Sequence, residues 1–207
     1  MPTRALFVTR LYEASLADER DFSAFNAQLD AACRALAEED VAGRAWCAQH
    51  AYPGYTSYAS LDDLPRRDPA FAELKRRLDR HVAFFAEEAW LDLKGRRLKL
   101  DSLWVNVLRP GGAHSGHIHP HSAVSGTVYV AVPEGAGALK LEDPRLPLMM
   151  AAPPRRADAP DAARPFVYVR PEPGTVLMWE SWLRHEVCAD TRRRGQERIS
   201  ISFNYRW

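Results

Sequence analysis

The apolar positions of this chain change period near residue 96: helical steps of three and four come before it, alternation after it. In the first part, "DFSAFNAQLDAACRALAEED" sets Phe22, Phe25, Leu29, Cys33 and Leu36 on one stripe, which predicts a helix opened by an Asp21 or Ser23 cap. "DPAFAELKRRLDRHVAFFAEEAWLD" predicts a second helix. Asp68 is its cap, Pro69 its first turn, and Phe71, Leu74, Leu78, Val82, Phe85 and Trp90 its buried stripe. "RALFVTRLY" at the start alternates as a strand. The Tyr- and Pro-rich "AYPGYTSYASLDDLPRR" between the helices reads as an ordered loop, with His50 and His81 as structural residues.

Eight strand-like runs follow: "RLKLDSLWVNVL", "HSGHIH", "GTVYVAV", "ALKLED", "FVYVR", "GTVLMWE", "RHEVC" and "RISISFNYR". Turn signals separate them, among them "RPGGA", "PEGAG", "RPEPG" and "DTRRRGQE". The expected architecture is a mainly β sandwich or double-stranded β-helix (jelly-roll, cupin-like) whose core is covered by two N-terminal α-helices. We expect a single domain over 1–207, with 1–95 supporting a β core at 96–207. The one long irregular insertion is at 144–165, where six of the fifteen prolines fall.

Charge removes several function classes. Lys and Arg number 28 against 27 Asp and Glu, a net charge of +1, so nothing calls for nucleic acid or an anionic membrane as partner. No apolar run approaches the roughly 20 residues that span a bilayer, and the charged N-terminus does not read as a signal peptide. Three cysteines without a CxxC fit a reducing compartment, so a cytoplasmic location is expected. No heptad bears on the oligomeric state.

Chemistry concentrates in "GGAHSGHIHPHS", which holds His114, His117, His119 and His121, four of the seven histidines. Such a stretch can be a solvated loop. It can also be a metal site, because His117 and His119 are two apart and share a strand face, from which two imidazoles converge on an ion at about 2.0–2.2 Å. Pro120 puts His121 past the strand end, and His114 has the opposite parity. His185 in "SWLRHEVC" is the available third imidazole. In "ERISISFNYRW", Arg198, Ser200, Ser202 and Asn204 share one face. A hairpin from the preceding strand would set Arg198 opposite Val187, on the face of His185. An arginine with a serine beside a three-ligand metal suits a bidentate oxo-acid.

In this order, "HIHPHSAVSGTVYV", "LEDPR", "PGTVLMWESWLRHEV" and "ERISISFN" resemble the Fe(II)- and 2-oxoglutarate-dependent oxygenases, and more narrowly a bacterial subfamily with an "HxHPxSxxSGxxY" segment. The likeness runs from about Trp104 to Asn204. It implies an eight-stranded double-stranded β-helix, Fe(II) on His117, His119 and His185, and 2-oxoglutarate as cosubstrate of O2. Arg198 with Ser200 would hold the distal carboxylate, with Asn106 and Tyr129 as further cosubstrate contacts. It also implies hydroxylation of an amino acid, a natural-product intermediate or a peptide, with release of succinate and CO2. One departure stands out: most of the superfamily has a carboxylate where His119 would bind. Three neutral ligands also occur in cupin-type dioxygenases that work without the oxo-acid, and a zinc-loaded, non-catalytic jelly-roll remains a further reading. Asp143 and Glu186 are the nearest candidate carboxylates in sequence. Trp104, Trp179 and Trp182 are candidate apolar walls, and the 144–165 insertion is a candidate lid.

Overall fold

The computed structural model describes residues 3–189 and 194–207. Four helices and ten strands build it: β1 Tyr12–Ser15, α1 Phe22–Glu39, α2 Val41–Gln49, β2 Gly54–Thr56, α3 Leu64–Arg67, α4 Pro69–Glu88, β3 Lys99–Leu108, β4 His114–His117, β5 Val124–Ala131, β6 Leu139–Glu142, β7 Phe166–Val169, β8 Thr175–Glu180, β9 His185–Val187 and β10 Arg198–Arg206. All eight strands expected in the second half are present.

The two long helices are α1 and α4. Asp68 caps α4 by accepting from Ala70 N at 2.7 Å, and Pro69 opens it. Asp21 stands at the N-cap of α1 without capping it through its side chain. Its carboxylate instead takes two guanidinium N–H bonds from the buried Arg77 of α4. Trp90 falls outside α4, at φ +58°, and is 85% exposed, so the apolar stripe ends at Phe85. The expected first strand over 4–12 starts only at Tyr12, and the short α2 and α3 were not anticipated. Asp40 explains α2: its Oδ1 accepts from Gly43 N at 2.9 Å.

Two antiparallel sheets face each other, without closing into a barrel. One has the order β1-β8-β5-β10-β3-β2, the other β4-β9-β6-β7. From β3 on, the strands alternate between the sheets except at the β6–β7 hairpin, the winding of a double-stranded β-helix. It also corrects one expectation. β9 and β10 do not form a hairpin: Arg198 pairs with Leu108 of β3, while Val187 pairs with His114 of β4 and Leu139 of β6. The expected turn "DTRRRGQE" lies in part, at 190–193, outside the described residues.

The hydrophobic core has two layers. Between the helices and the six-stranded sheet lie Phe25, Leu29, Phe71, Leu74, Leu78 and Phe85, packed with Val105, Val128, Ile199, Ile201, Phe203 and Tyr205. Between the sheets lie Leu108, Tyr129, Leu139, Leu141, Leu177, Trp179, Leu183 and Val187. Gly126 permits close packing in β5. A Cβ there would stand 2.4 Å from both Leu177 O and the Phe203 ring, well inside contact distance. No described helix is long and apolar enough to cross a membrane.

Candidate metal and oxo-acid site

The space between the sheets holds a small cavity of about 60 Å³, lined by His114, His117, His119 and His185 and by Arg198, Ser200 and Ser202, among others.

At one end three imidazoles converge. His117 closes β4 directly opposite His185, the first residue of β9. His119 follows β4 in a loop pinned by its own N–H, which donates to Ser181 O at 3.0 Å. The ring centroids are 4.4 Å (His117–His185), 5.1 Å (His117–His119) and 5.2 Å (His119–His185) apart. One ligand nitrogen from each lies within 4.8 Å of the other two.

Backbone carbonyls set the tautomers. His117 Nδ1 lies 2.7 Å from Ser115 O and His185 Nδ1 lies 2.9 Å from Leu183 O. A carbonyl can only accept, so Nδ1 carries the proton and the Nε2 lone pair is left for a metal, as in most histidine-ligated centres. Asn204 supports His119: its amide lies 3.5 Å from His119 Nδ1, and it is held by Ser125, which in turn bonds Ser181 at 2.8 Å. Burial first, then neighbouring rings, lowers the pKa of His119 to about 4; burial likewise takes His185 to about 3. Both rings are thus neutral at ordinary pH, the form that binds a metal.

No carboxylate lines this cavity among the described residues. Glu186 faces the other way and pairs with Lys140 at 3.0 Å, and Asp143 pairs with Arg145 at 2.8 Å. His121 lies in the turn after His119 and is exposed. Trp179 packs edge-on to His185, with centroids 4.6 Å apart, and Trp104 flanks His119 at 5.9 Å. Trp182 does not line the cavity and is 46% exposed.

The closed end is cationic. Arg198 is 2% exposed and stacks its guanidinium 5.0 Å from the Tyr129 ring centroid. Its Nη1 reaches Ser200 Oγ at 3.4 Å, and among the described residues it has no carboxylate partner. Tyr129 Oη, Trp179 Nε1 and Arg198 Nε are buried with no hydrogen-bond partner, and all three residues line this one cavity. Burial raises the Tyr129 phenol, with Arg198 pulling the other way.

The structure therefore brings His117, His119, His185, Arg198, Ser200, Asn106 and Tyr129 to one cavity. Asn106 differs from the expectation in one respect. Its Oδ1 already accepts from Thr56 Oγ1 at 2.9 Å and Tyr52 Oη at 3.3 Å, while its Nδ2 donates to Ser202 Oγ at 3.1 Å. His114 also joins despite its parity, because the β4–β9 register shifts between His114 and His117. The 144–165 insertion does not line the metal end. With the segment Ala5–Leu11 it borders a separate cavity of about 620 Å³ beyond Leu141 and Leu183. Tyr52 and Thr56 carry no periodic or motif signal that singles them out for the site, whereas Ser125 falls in the "HxHPxSxxSGxxY" segment and Asn204 on the alternating face of Arg198.

Fold and cavity together define a class: a double-stranded β-helix with a three-histidine metal-binding site and a buried cationic anchor. Residues 102–204 match a family model described as "Putative 2OG-Fe(II) oxygenase". With that match and this fold, the chain belongs to the 2OG-Fe(II) oxygenase superfamily, whose reactions depend on Fe(II) and 2-oxoglutarate. Among solved structures it is similar to a Pseudomonas putida prolyl-4-hydroxylase, at 18% identity and TM-score 0.60, over 96% of this chain and 94% of that one. It is also similar to the epimerase SnoN of nogalamycin biosynthesis, solved with Fe3+, alpha ketoglutarate and nogalamycin RO (16%, 0.61, 96% and 79%). HygX from Streptomyces hygroscopicus, solved with nickel and 2-oxoglutarate, is a third (15%, 0.56, 95% and 81%). No curated protein sequence matches the chain.

Proposed function

We propose that the chain is an Fe(II)- and 2-oxoglutarate-dependent dioxygenase that hydroxylates a small molecule or peptide. The substrate classes proposed are an amino acid, a natural-product intermediate or a peptide. The overall change is balanced as substrate C–H, O2 and 2-oxoglutarate going to substrate C–OH, succinate and CO2. Ferrous iron on His117, His119 and His185 would supply the activation of dioxygen that couples oxidation of the oxo-acid to oxidation of the C–H bond.

One observation carries the reading: a guanidinium buried without an anion, in the same cavity as three converging imidazoles. Leaving such a charge unpaired costs several kcal/mol, so the fold keeps a place for an anionic ligand there. In this reading Arg198 and Ser200 hold the distal carboxylate, and the free Tyr129 hydroxyl lies beside the same anchor. Trp104 and Trp179 limit water around the imidazoles. Tyr58, 61% exposed, packs edge-on against the cavity residue Trp104 with ring centroids 5.2 Å apart, so in this reading the substrate approaches past it.

An anaerobic Fe(II) titration tests this. With 2-oxoglutarate present, a weak visible charge-transfer band is expected, and succinate should form on admitting oxygen with a suitable C–H substrate. A band that never appears, with oxygen consumed regardless of the oxo-acid, would favour a three-histidine dioxygenase independent of it. Metal binding without any oxygen consumption would favour a non-catalytic jelly-roll.

A further inference from the structure

Ser202 lines the same cavity two residues along β10 from Ser200, opposite Trp104 of β3 and Thr127 of β5. A chain of hydrogen bonds that begins well before the matched region 102–204 fixes what its hydroxyl can do. Thr56 Oγ1 accepts from Tyr58 N at 3.3 Å and donates its own proton to Asn106 Oδ1 at 2.9 Å. Tyr52 Oη accepts from His114 Nε2 at 2.5 Å and donates to the same Oδ1 at 3.3 Å. With two hydroxyl protons on Oδ1, the Asn106 amide has one orientation, and its Nδ2 is the atom that donates to Ser202 Oγ at 3.1 Å. The serine oxygen therefore accepts, and its own proton is unspent. Among the described residues it has no second hydrogen-bond partner, and no carboxylate lines the cavity to take that proton.

The position of Ser202 along the strand indicates the acceptor. Side chains two apart on one strand face stand about 6.5 Å from each other. Arg198 and Ser200 form the anchor, and Asn204, whose amide lies 3.5 Å from His119 Nδ1, marks the metal end. Ser202 falls between them, one step from Asn204, and its cross-strand neighbour Trp104 flanks His119 at 5.9 Å. A 2-oxo acid chelates a metal through its 2-oxo oxygen and one oxygen of its 1-carboxylate, which leaves the other carboxylate oxygen in need of a donor. We propose that Ser202 donates to that oxygen. Ser202 thus reads the metal-proximal carboxylate, Arg198 and Ser200 the distal one, and Asn106 orients the Ser202 hydroxyl. This rests on the dioxygenase reading above. Through Tyr52 and Thr56, the N-terminal half of the chain takes part in cosubstrate recognition.

The test is calorimetric binding of two acids to the Ni(II)-loaded full chain: 2-oxoglutarate, and 2-oxobutyrate, which lacks the distal carboxylate. A separate Ni(II) titration and a thermal melt accompany each variant. Ser202→Ala is expected to weaken both acids by the same factor, about tenfold. Ser200→Ala is the control for the other end and should weaken 2-oxoglutarate while leaving 2-oxobutyrate unchanged. Ni(II) affinity should stay at the wild-type value in both. In the anaerobic Fe(II) protein saturated with 2-oxoglutarate, Ser202→Ala should also move the visible charge-transfer band, because the lost bond is to the chelating end; Ser200→Ala should not. That band decides if 2-oxobutyrate binds too weakly to measure. The proposal is overturned if Ser202→Ala binds 2-oxoglutarate like the wild type. It also fails if Ser202→Ala weakens 2-oxoglutarate alone with the band unmoved, which would put Ser202 at the distal end. Should only the melting temperature fall, Ser202 is structural and the proposal fails again. Wild-type protein that binds Ni(II) but no 2-oxoglutarate would instead bring down the dioxygenase reading itself.

Discussion

Strand β10 serves two regions that obey opposite rules. Its Ile199, Ile201, Phe203 and Tyr205 turn to the helices; its Arg198 and Ser200 turn into the cavity between the sheets. On the helix side, buried polar groups are partnered. Tyr205 Oη donates to Asp79 Oδ1 at 2.7 Å, and Arg77 is shared among Glu73, Glu19 and Asp21. On the cavity side, three buried polar atoms have no partner. One layer minimises the free energy of the chain alone; the other is left incomplete until a ligand arrives.

Substitutions on the two faces of this strand should therefore separate folding from binding. The largest effect belongs to the helix face. Phe203→Ala is expected to cost about 3–5 kcal/mol of stability, read from denaturant unfolding, while the remaining folded protein keeps its metal and oxo-acid affinities. Arg198→Leu should do the reverse. 2-Oxoglutarate affinity should fall about a hundredfold or more, with stability unchanged or raised by about 1 kcal/mol once the unpaired charge is gone. A clear loss of stability would show that Arg198 belongs to the structural layer after all.

Asn204→Ala comes next. Removing the group that supports His119 should weaken metal binding about tenfold, measured by competition with a chelating dye. The smallest effect is one of pH. The folded pKa values of His114, His119 and His185 are lowered, to about 4, 4 and 3. As pH falls below the unfolded value of about 6.5, the unfolded state takes up protons that the metal-free native state refuses. Stability should therefore drop from about pH 6.5 to about pH 4, with the His185 part continuing to about pH 3. Glu73, lowered to about 2 by Arg76 and Arg77, is partnered on the helix side and should add a loss only below about pH 4.5. Thermal melts of metal-free protein across pH 7 to 3 would resolve the two windows.

The difference between the layers also decides what could be read from the sequence. Period-two alternation revealed all eight strands and grouped Arg198 and Ser200 on one face, because parity survives whatever the strand pairs with. Pairing itself was not visible. The short gap between β9 and β10 suggested a hairpin, yet the two strands lie in different sheets. The parity of His114 misled because a register irregularity in β4 turns it inward. Tyr52 was passed over because a lone tyrosine in a loop has no period. Asp21 looked like a cap by type and position, but its carboxylate is drawn to Arg77. Helix α2 was hidden by its nine-residue length and by Gly43 in its first turn.

Because His117 and His185 stand on the four-stranded sheet and Arg198 on the six-stranded one, the separation of metal and anchor is a measure of sandwich thickness. Leu139 and Leu177, buried in that gap, act as spacers of a caliper. A bulkier residue such as Phe for Leu139 would open the jaws and favour a longer dicarboxylate. Relative turnover of 2-oxoglutarate and 2-oxoadipate would read the setting.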